Sequence, residues 1–372
     1  MEVLYENLLN LSWQHVVMWI IGGILIYCAI KKDMEPTLLL PMGFGAILAN
    51  LPMSGAVTQF HEGVKEIGVL DVLFDAGIAN ELFPLLLFIG IGAMIDFGPL
   101  LSNPKLMLFG AAAQFGIFFT LSVASLFGFE LKDAASIAII GAADGPTSIF
   151  VANYLHSNYI GAIIVAAYSY MALVPIVQPP VIKLLTTKKE RLIRMPYEPK
   201  SVTKLTRILF PIFVTMITGL AAPRAVALIG FLMFGNLLRE CGVLNALSES
   251  AQKVLANLIT LLLGLTVATK MQAEAFLNVQ TLLILGLGLV AFIFDTAGGV
   301  LFAKFMNLFM KKKVNPMIGA AGISAFPMSS RVVHKMGLDE DPYNFLLMHS
   351  AAANVSGQIA SVIAGGLILG LL

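Results

Sequence analysis

Gly141-Ala142-Ala143-Asp144-Gly145-Pro146-Thr147-Ser148-Ile149-Phe150 sets one acid, two glycines and a proline inside an otherwise apolar segment, 134–155. Glycine and proline interrupt a helix, and small residues let backbones approach closely. An interrupted helix frees carbonyl oxygens that can ligate a hard cation. A carboxylate at bilayer depth costs about 2.5–3.5 kcal/mol on insertion scales, so Asp144 calls for a compensating ion, proton or partner. The plainer alternative is a buried aspartate that caps a half-helix.

The rest of the chain sets the medium. Hydrophobic residues make up 58% and charged residues only 12%, too few charges for a water-exposed globule of this length. Apolar runs recur at 16–30, 36–51, 80–98, 105–128, 159–185, 205–222, 224–240, 254–270, 279–309 and 343–371. Runs near 20 residues cross a hydrocarbon core of about 30 Å as helices. They are continuous rather than alternating, which excludes a β-barrel. A net charge of +1 gives no nucleic-acid footprint, and Cys28 and Cys241 read as small hydrophobes. Glu2 and Glu6 follow Met1 in place of a basic stretch, so the first run reads as a retained helix with its N-terminus outside. No Walker motif, HExxH or Cys/His cluster is present, which argues against ATP hydrolysis and transition-metal chemistry.

One basic, proline-containing linker divides the chain, with Lys188, Lys189, Arg191, Arg194, Pro196, Pro199, Lys200, Lys204 and Arg207. The positive-inside rule makes it cytoplasmic, with Lys31, Lys32, Lys105, Arg239, Lys253 and Lys311 to Lys313 on the same side. The loop with Glu62, Glu66, Asp71 and Asp75 then faces outward. These sides agree only if 134–155 and 315–335 enter and leave on one face. The halves also resemble each other in order: 36–45 with 223–232, 90–105 with 264–279, and 141–150 with 319–328. The expected fold is an all-α polytopic membrane protein of two inverted repeats. Each has about five crossings and one re-entrant broken-helix hairpin, the arrangement of transporters whose ion site lies between the interruptions. Residues 1–185 hold the first repeat, an extra first helix and hairpin 134–155. Residues 186–204 are the linker, and 205–372 hold the second repeat with hairpin 315–335.

The second hairpin, from Asn315-Pro316 through Gly319, Gly322, Ser324 and Pro327 to Arg331, supplies amide, hydroxyl and backbone oxygens but no acid. Arg331 reads either as a bidentate contact for an anionic carboxyl group or as a positive-inside anchor. Tyr168 and Tyr170 lie in an apolar helix, where a phenol needs a partner; Asp144 is a candidate. His349, Ser350, Asn354, Ser356 and Gln358 punctuate the last helix, with Ser350 and Asn354 on one face. Interhelical hydrogen bonding explains them equally well. Asp295, before Gly298-Gly299, is the other acid inside a long apolar run.

The stretches "GAADGPTSIF", "AAYSYMALVP", "NPMIGAAGISAFPMSSR" and "HSAAANVSG" resemble the β subunits of the sodium-translocating biotin-dependent decarboxylases. These belong to the oxaloacetate, methylmalonyl-CoA and glutaconyl-CoA decarboxylase complexes. The likeness runs from about residue 16 to 372. It implies a subunit of the bacterial or archaeal cytoplasmic membrane that decarboxylates carboxybiotin, consumes a proton and exports Na⁺. The implied partners are an α carboxyltransferase subunit, a biotin carrier subunit or domain and a small γ/δ membrane subunit, around a homotrimeric β core. The family's functional residues fall on Asp144, Tyr170, Ser324 and Arg331 for catalysis, with Arg331 at carboxybiotin. Those for Na⁺ fall on Asp144, Asn315, Gly319, Ser324 and Asn354. Tyr168, which lies near the family's tyrosine position, and Asp295 and Ser350, read from the residues alone, are other candidates. Without the resemblance, the same residues also suit a stand-alone Na⁺/H⁺ antiporter or carboxylate symporter, or a membrane anchor for soluble subunits.

Overall fold

The computed structural model describes residues 10–61, 64–196 and 201–372; Glu2, Glu6, Glu62, Pro199 and Lys200 lie outside them. The main helices are α1 (Trp13–Lys32), α2 (Pro36–Ala49), α3 (Leu82–Met94), α4 (Met107–Ala113), α5 (Phe115–Leu126), α6 (Leu131–Ala138) and α7 (Gly145–Tyr154). They continue with α8 (Ile160–Leu185), α9 (Lys204–Ala221), α10 (Val226–Glu240), α11 (Ala256–Val267), α12 (Val279–Phe309), α13 (Met328–Glu340) and α14 (Leu347–Leu371). Among the described residues seven helical stretches are long and apolar enough to cross a membrane. An eighth is the pair Val69–Ala79 and Leu82–Met94, bent by 61°. The chain is therefore a multi-pass, helical membrane protein.

Local sequence sets the helix boundaries. Pro36 opens α2, Thr203 caps α9, and the Asn278 side chain accepts from the Thr281 N–H at 2.7 Å to open α12. Proline at the first turn gives up no hydrogen bond, and side-chain caps satisfy amides that a helix start leaves unpaired. Glycines then set how closely the helices pack. A Cβ on Gly92 would overlap the Leu232 carbonyl, and one on Gly235 the Ile89 carbonyl, so α3 and α10 meet backbone to backbone. A Cβ on Gly264 would sit 2.9 Å from the Leu38 oxygen and one on Gly45 2.7 Å from Ala268 Cβ, which brings α2 against α11.

Two elements depart from the sequence reading. Gln59–His61 and Val64–Glu66 pair as short antiparallel strands β1 and β2 in what the sequence reads as a loop, within a chain that is otherwise all-α. The run 105–128 is not one helix: Gln114 interrupts it between α4 and α5. Its side chain donates to the Gly110 carbonyl at 3.0 Å, satisfying an acceptor beside the interruption.

Residues 131–158 double back. The Asp133 carboxylate, near their start, accepts from Ser157 Oγ (2.7 Å), Asn158 N (2.9 Å) and Asn158 Nδ2 (3.0 Å) near their end. Residues 315–344 are tied in a different way. Asn315 Nδ2 and Asn344 Nδ2 both donate to the Arg191 carbonyl, at 2.8 and 2.9 Å. The linker is docked there, with Arg191 on Glu340 at 2.6 Å and Arg194 on Asp341 at 2.5 Å.

Candidate functional site: two helix breaks around Asp144

Between α6 and α7 the chain runs through a 3₁₀ turn (Ile139–Ala142), and Ala143 then adopts a left-handed φ of 52°. A non-glycine residue takes that conformation only when its surroundings enforce it. The turn delivers Asp144 as the N-cap of α7, with its Oδ1 accepting from the Thr147 N–H at 3.3 Å. Its Oδ2 accepts three hydroxyls: Thr147 Oγ1 at 2.7 Å, Ser361 Oγ at 2.9 Å and Ser324 Oγ at 3.0 Å. Thr147 comes from the first break, Ser324 from the second and Ser361 from α14. The breaks are also joined through backbone, Ser324 N–H donating to the Ala142 carbonyl at 3.0 Å. Asp144 is only 3% exposed, so no bulk water reaches the carboxylate.

Four donors across its two oxygens match the capacity of an ionised carboxylate, and the three hydroxyl oxygens carry lone pairs for a hard cation. Gln358 Nε2 donates to both the carbonyl and the hydroxyl of Ser324, and Asn354 Nδ2 donates to the Ile323 carbonyl at 2.6 Å. That leaves Gln358 Oε1 and Asn354 Oδ1 buried and without a hydrogen-bond partner. Unpaired buried acceptors beside a carboxylate and hydroxyls form an oxygen set suited to an alkali cation.

The residues singled out from the sequence fall into three places. Asp144 and Ser324 are in direct contact, and Asn354 holds the residue next to Ser324. Tyr168 rather than Tyr170 is the phenol near Asp144: its ring covers Gly145, where a Cβ would overlap it, and its hydroxyl has no partner. Tyr170 instead donates to the Leu285 carbonyl and packs on Gly288. Asn315 binds linker carbonyls and Gly319 lies against the Gly299 backbone, so neither touches Asp144. Ser350 bonds the carbonyls of Ser330 and Leu347, joining α13 to α14. Asp295 sits at the Gln114 interruption. Sequence reasoning did not select Thr147, Gln358 or Ser361 as site residues. Ser361 stands seven positions after Asn354 and three after Gln358, a helical spacing that places all three on one face.

Arg331 is exposed and lies at the end of the molecule that carries Lys31 and Lys32, within electrostatic range of Glu35. Burial pushes the Glu35 carboxyl above the usual carboxylate range, and the Arg331 guanidinium draws it back. A separate cavity of about 650 Å³ is lined by Lys105, Arg194, Lys312, Lys313 and His349, among others.

A multi-pass helical protein that buries one carboxylate among hydroxyls at two meeting helix breaks has the make-up of an ion-translocating membrane protein. The family profile described as the Na⁺-transporting oxaloacetate decarboxylase beta subunit matches residues 14–372, and the chain belongs to that family. It is 49% identical to the glutaconyl-CoA decarboxylase subunit beta of Acidaminococcus fermentans over 97% of this chain and 94% of that one. Against the methylmalonyl-CoA decarboxylase subunit beta of Propionigenium modestum the identity is 48%, covering 97% and 96%. The oxaloacetate decarboxylase beta chain of Klebsiella pneumoniae is 44% identical, covering 98% and 96%. The chain is thus the membrane subunit of a decarboxylase sodium pump, acting within a multisubunit, biotin-dependent complex.

Proposed function

We propose that this subunit decarboxylates carboxybiotin at its cytoplasmic side and exports Na⁺ through the site at Asp144. Oxygen ligands come from Asp144, Thr147, Ser324 and Ser361, with Asn354 and Gln358 completing the set. The observation that carries this reading is the convergence of three hydroxyls from two helix breaks and α14 on one buried carboxylate oxygen. On binding Na⁺ those hydroxyls turn their lone pairs toward the ion.

The halves 1–185 and 205–372 form inverted repeats, with 134–155 and 315–335 as re-entrant hairpins and 186–204 as the cytoplasmic linker. Support comes from the exchange of contacts: α2 meets α11 as α3 meets α10, and the sequence pairs α2 with α10 and α3 with α11. The subunit lies in the cytoplasmic membrane with its N-terminus outside. It works with an α carboxyltransferase subunit, a biotin carrier and a small γ/δ subunit, around a trimeric β core. Decarboxylation breaks the N–CO₂⁻ bond of carboxybiotin, releases CO₂ and leaves the ring nitrogen to take one proton. Arg331, on the cytoplasmic face, attracts the carboxylate electrostatically, and the Lys105, Arg194, Lys312 and Lys313 cavity offers a basic approach. Asn315 and Gly319 set the position of the second hairpin, and Ser350 that of α14. Tyr168 walls the site, and Tyr170 braces the helix that carries it.

The deciding measurement is avidin-sensitive ²²Na⁺ uptake into vesicles holding the assembled complex. Asp144→Asn is expected to abolish uptake and Na⁺-dependent decarboxylation together; full retained uptake would refute the assignment.

A further inference from the structure

Asp295 lies in α12, fully buried, and takes no part in the site above. Its Oδ1 accepts the Ile117 N–H at the start of α5 at 3.2 Å, and the Gly116 N–H lies beside the same carboxylate. The Ile117 N–H is shared, lying 3.2 Å from the Gln114 carbonyl as well, so Asp295 sits against the amides at the interruption between α4 and α5. Its Oδ2 has no hydrogen-bond partner at all. This oxygen faces the first hairpin, where a Cβ on Gly141 would lie 2.7 Å from it, with Ala291 Cβ at the same distance. A cation with several ligands needs room that this packing does not leave, whereas a proton needs none. An ionised carboxylate with one bare oxygen in this setting is also costlier than a neutral acid with one unpaired hydroxyl.

We propose that Asp295 is the proton-exchanging group of the pump, separate from the Na⁺-carrying Asp144 and opposed to it in charge state. The proposal rests on reading Asp144 as the Na⁺ site. Gly141 precedes Asp144 by three residues, so their Cα atoms lie within about 11 Å of each other. With Asp144 ionised and empty, a proton on Asp295 Oδ2 avoids two like charges in a low dielectric. When Na⁺ neutralises Asp144, the Oδ2–H bond breaks and the proton leaves to water; when Na⁺ departs, a proton returns. By reciprocity, protonating Asp295 weakens Na⁺ binding by the same factor. For two unit charges roughly 10 to 15 Å apart at an effective dielectric near 20, that factor is about 5- to 15-fold.

Among the described residues no other group is placed to play this part. The stretches 107–126, 139–142 and 317–320 packed around Asp295 carry no titratable residue. On α6, Lys132 is partly exposed beside Glu130, and Asp133 is committed to Ser157 and Asn158. On α8, Tyr170 is committed to Leu285, Tyr168 lies against Gly145, and Lys183 is at the far end. Lys304, on α12 itself, pairs with Glu190.

Calorimetric titration of Na⁺ into the purified complex, in buffers of different ionisation enthalpy, counts protons released per Na⁺ bound. The wild-type complex is expected to release protons. Asp295→Asn is expected to lose more than half of that release, and its Na⁺ affinity to stay near the weak, acid-side value at every pH. Proton release unchanged in Asp295→Asn overturns the proposal. A separate arm guards the underlying reading: if Asp144→Asn still binds Na⁺, the ion-site assignment fails instead. Should Asp295→Asn not assemble, infrared difference spectra of the wild-type complex decide. Adding Na⁺ should remove a protonated carboxyl band that is shifted in Gly141→Ala, and no such band overturns the idea.

Discussion

Ser361 gives one of the three hydroxyls on Asp144 Oδ2 and also reaches Ser324 Oγ at 2.9 Å. A hydrogen bond to a charged group contributes about 1.5–3 kcal/mol. On Na⁺ binding the same hydroxyl oxygen turns to the cation, so Ser361→Ala removes a ligand of about that strength and should raise the Na⁺ concentration that half-activates decarboxylation by roughly 10- to 100-fold. An unmoved half-activation point would remove Ser361 from the ion site. Asp144 was legible from the sequence because an acid between glycines in an apolar run must be neutralised or paired where it lies. Ser361 was not, because a lone serine in an apolar helix commonly bonds its own backbone, as Ser361 also does to Gln358 O at 3.1 Å. Nor could the sequence choose between the two phenols. Tyr168 and Tyr170 share one apolar helix, and only the bare Cα of Gly145 decides which ring reaches Asp144.

At the scale of the element, each doubled-back segment is held at its base and not only at its tip. Asp133 receives three donors, from Ser157 and Asn158, while buried to 2% exposure. Asp133→Ala would strand those donors, at a cost of about 3 kcal/mol. Asp133→Asn keeps the shape and should lose less. Thermal unfolding of the purified complex separates the two, and equal melting for wild type and Asp133→Ala would show that the base carries no load. Glycine and proline made the two breaks readable along the chain. The break at Gln114 was hidden because no proline marks it and the apolar run passes through it unchanged; Asp295, 181 positions later, shares the Ile117 amide with the Gln114 carbonyl. The contacts of Asn315 were hidden in another way. Its partners Arg191 and Ile193 lie in the linker, and nothing local announces that the linker folds over the second hairpin.

For the whole molecule, the packing of α3 on α10 and of α2 on α11 leaves helices in backbone contact, through glycines that have no freedom to change. The sequence likeness of 36–45 to 223–232 suggests a repeat, but not which helices would meet, since that depends on the fold of both halves together. Gly92→Ala and Gly235→Ala each drive a methyl group into a carbonyl of the facing helix. Overpacking of this kind costs about 1–3 kcal/mol, and rigid backbone on both sides puts these two at the upper end. Gly264→Ala meets the Leu38 oxygen at 2.9 Å and the Pro41 Cβ at 2.9 Å, a milder clash that a small shift relieves. Gly286 has nothing within 4 Å of a Cβ, so Gly286→Ala should stabilise α12 by up to about 1 kcal/mol through helix propensity alone. The expected order of melting temperatures is Gly286→Ala at or above wild type, then Gly264→Ala, then Gly92→Ala and Gly235→Ala together at the bottom. If Gly92→Ala melted with Gly286→Ala, α3 and α10 would not be in backbone contact, and the exchange of contacts between the halves would lose its second member.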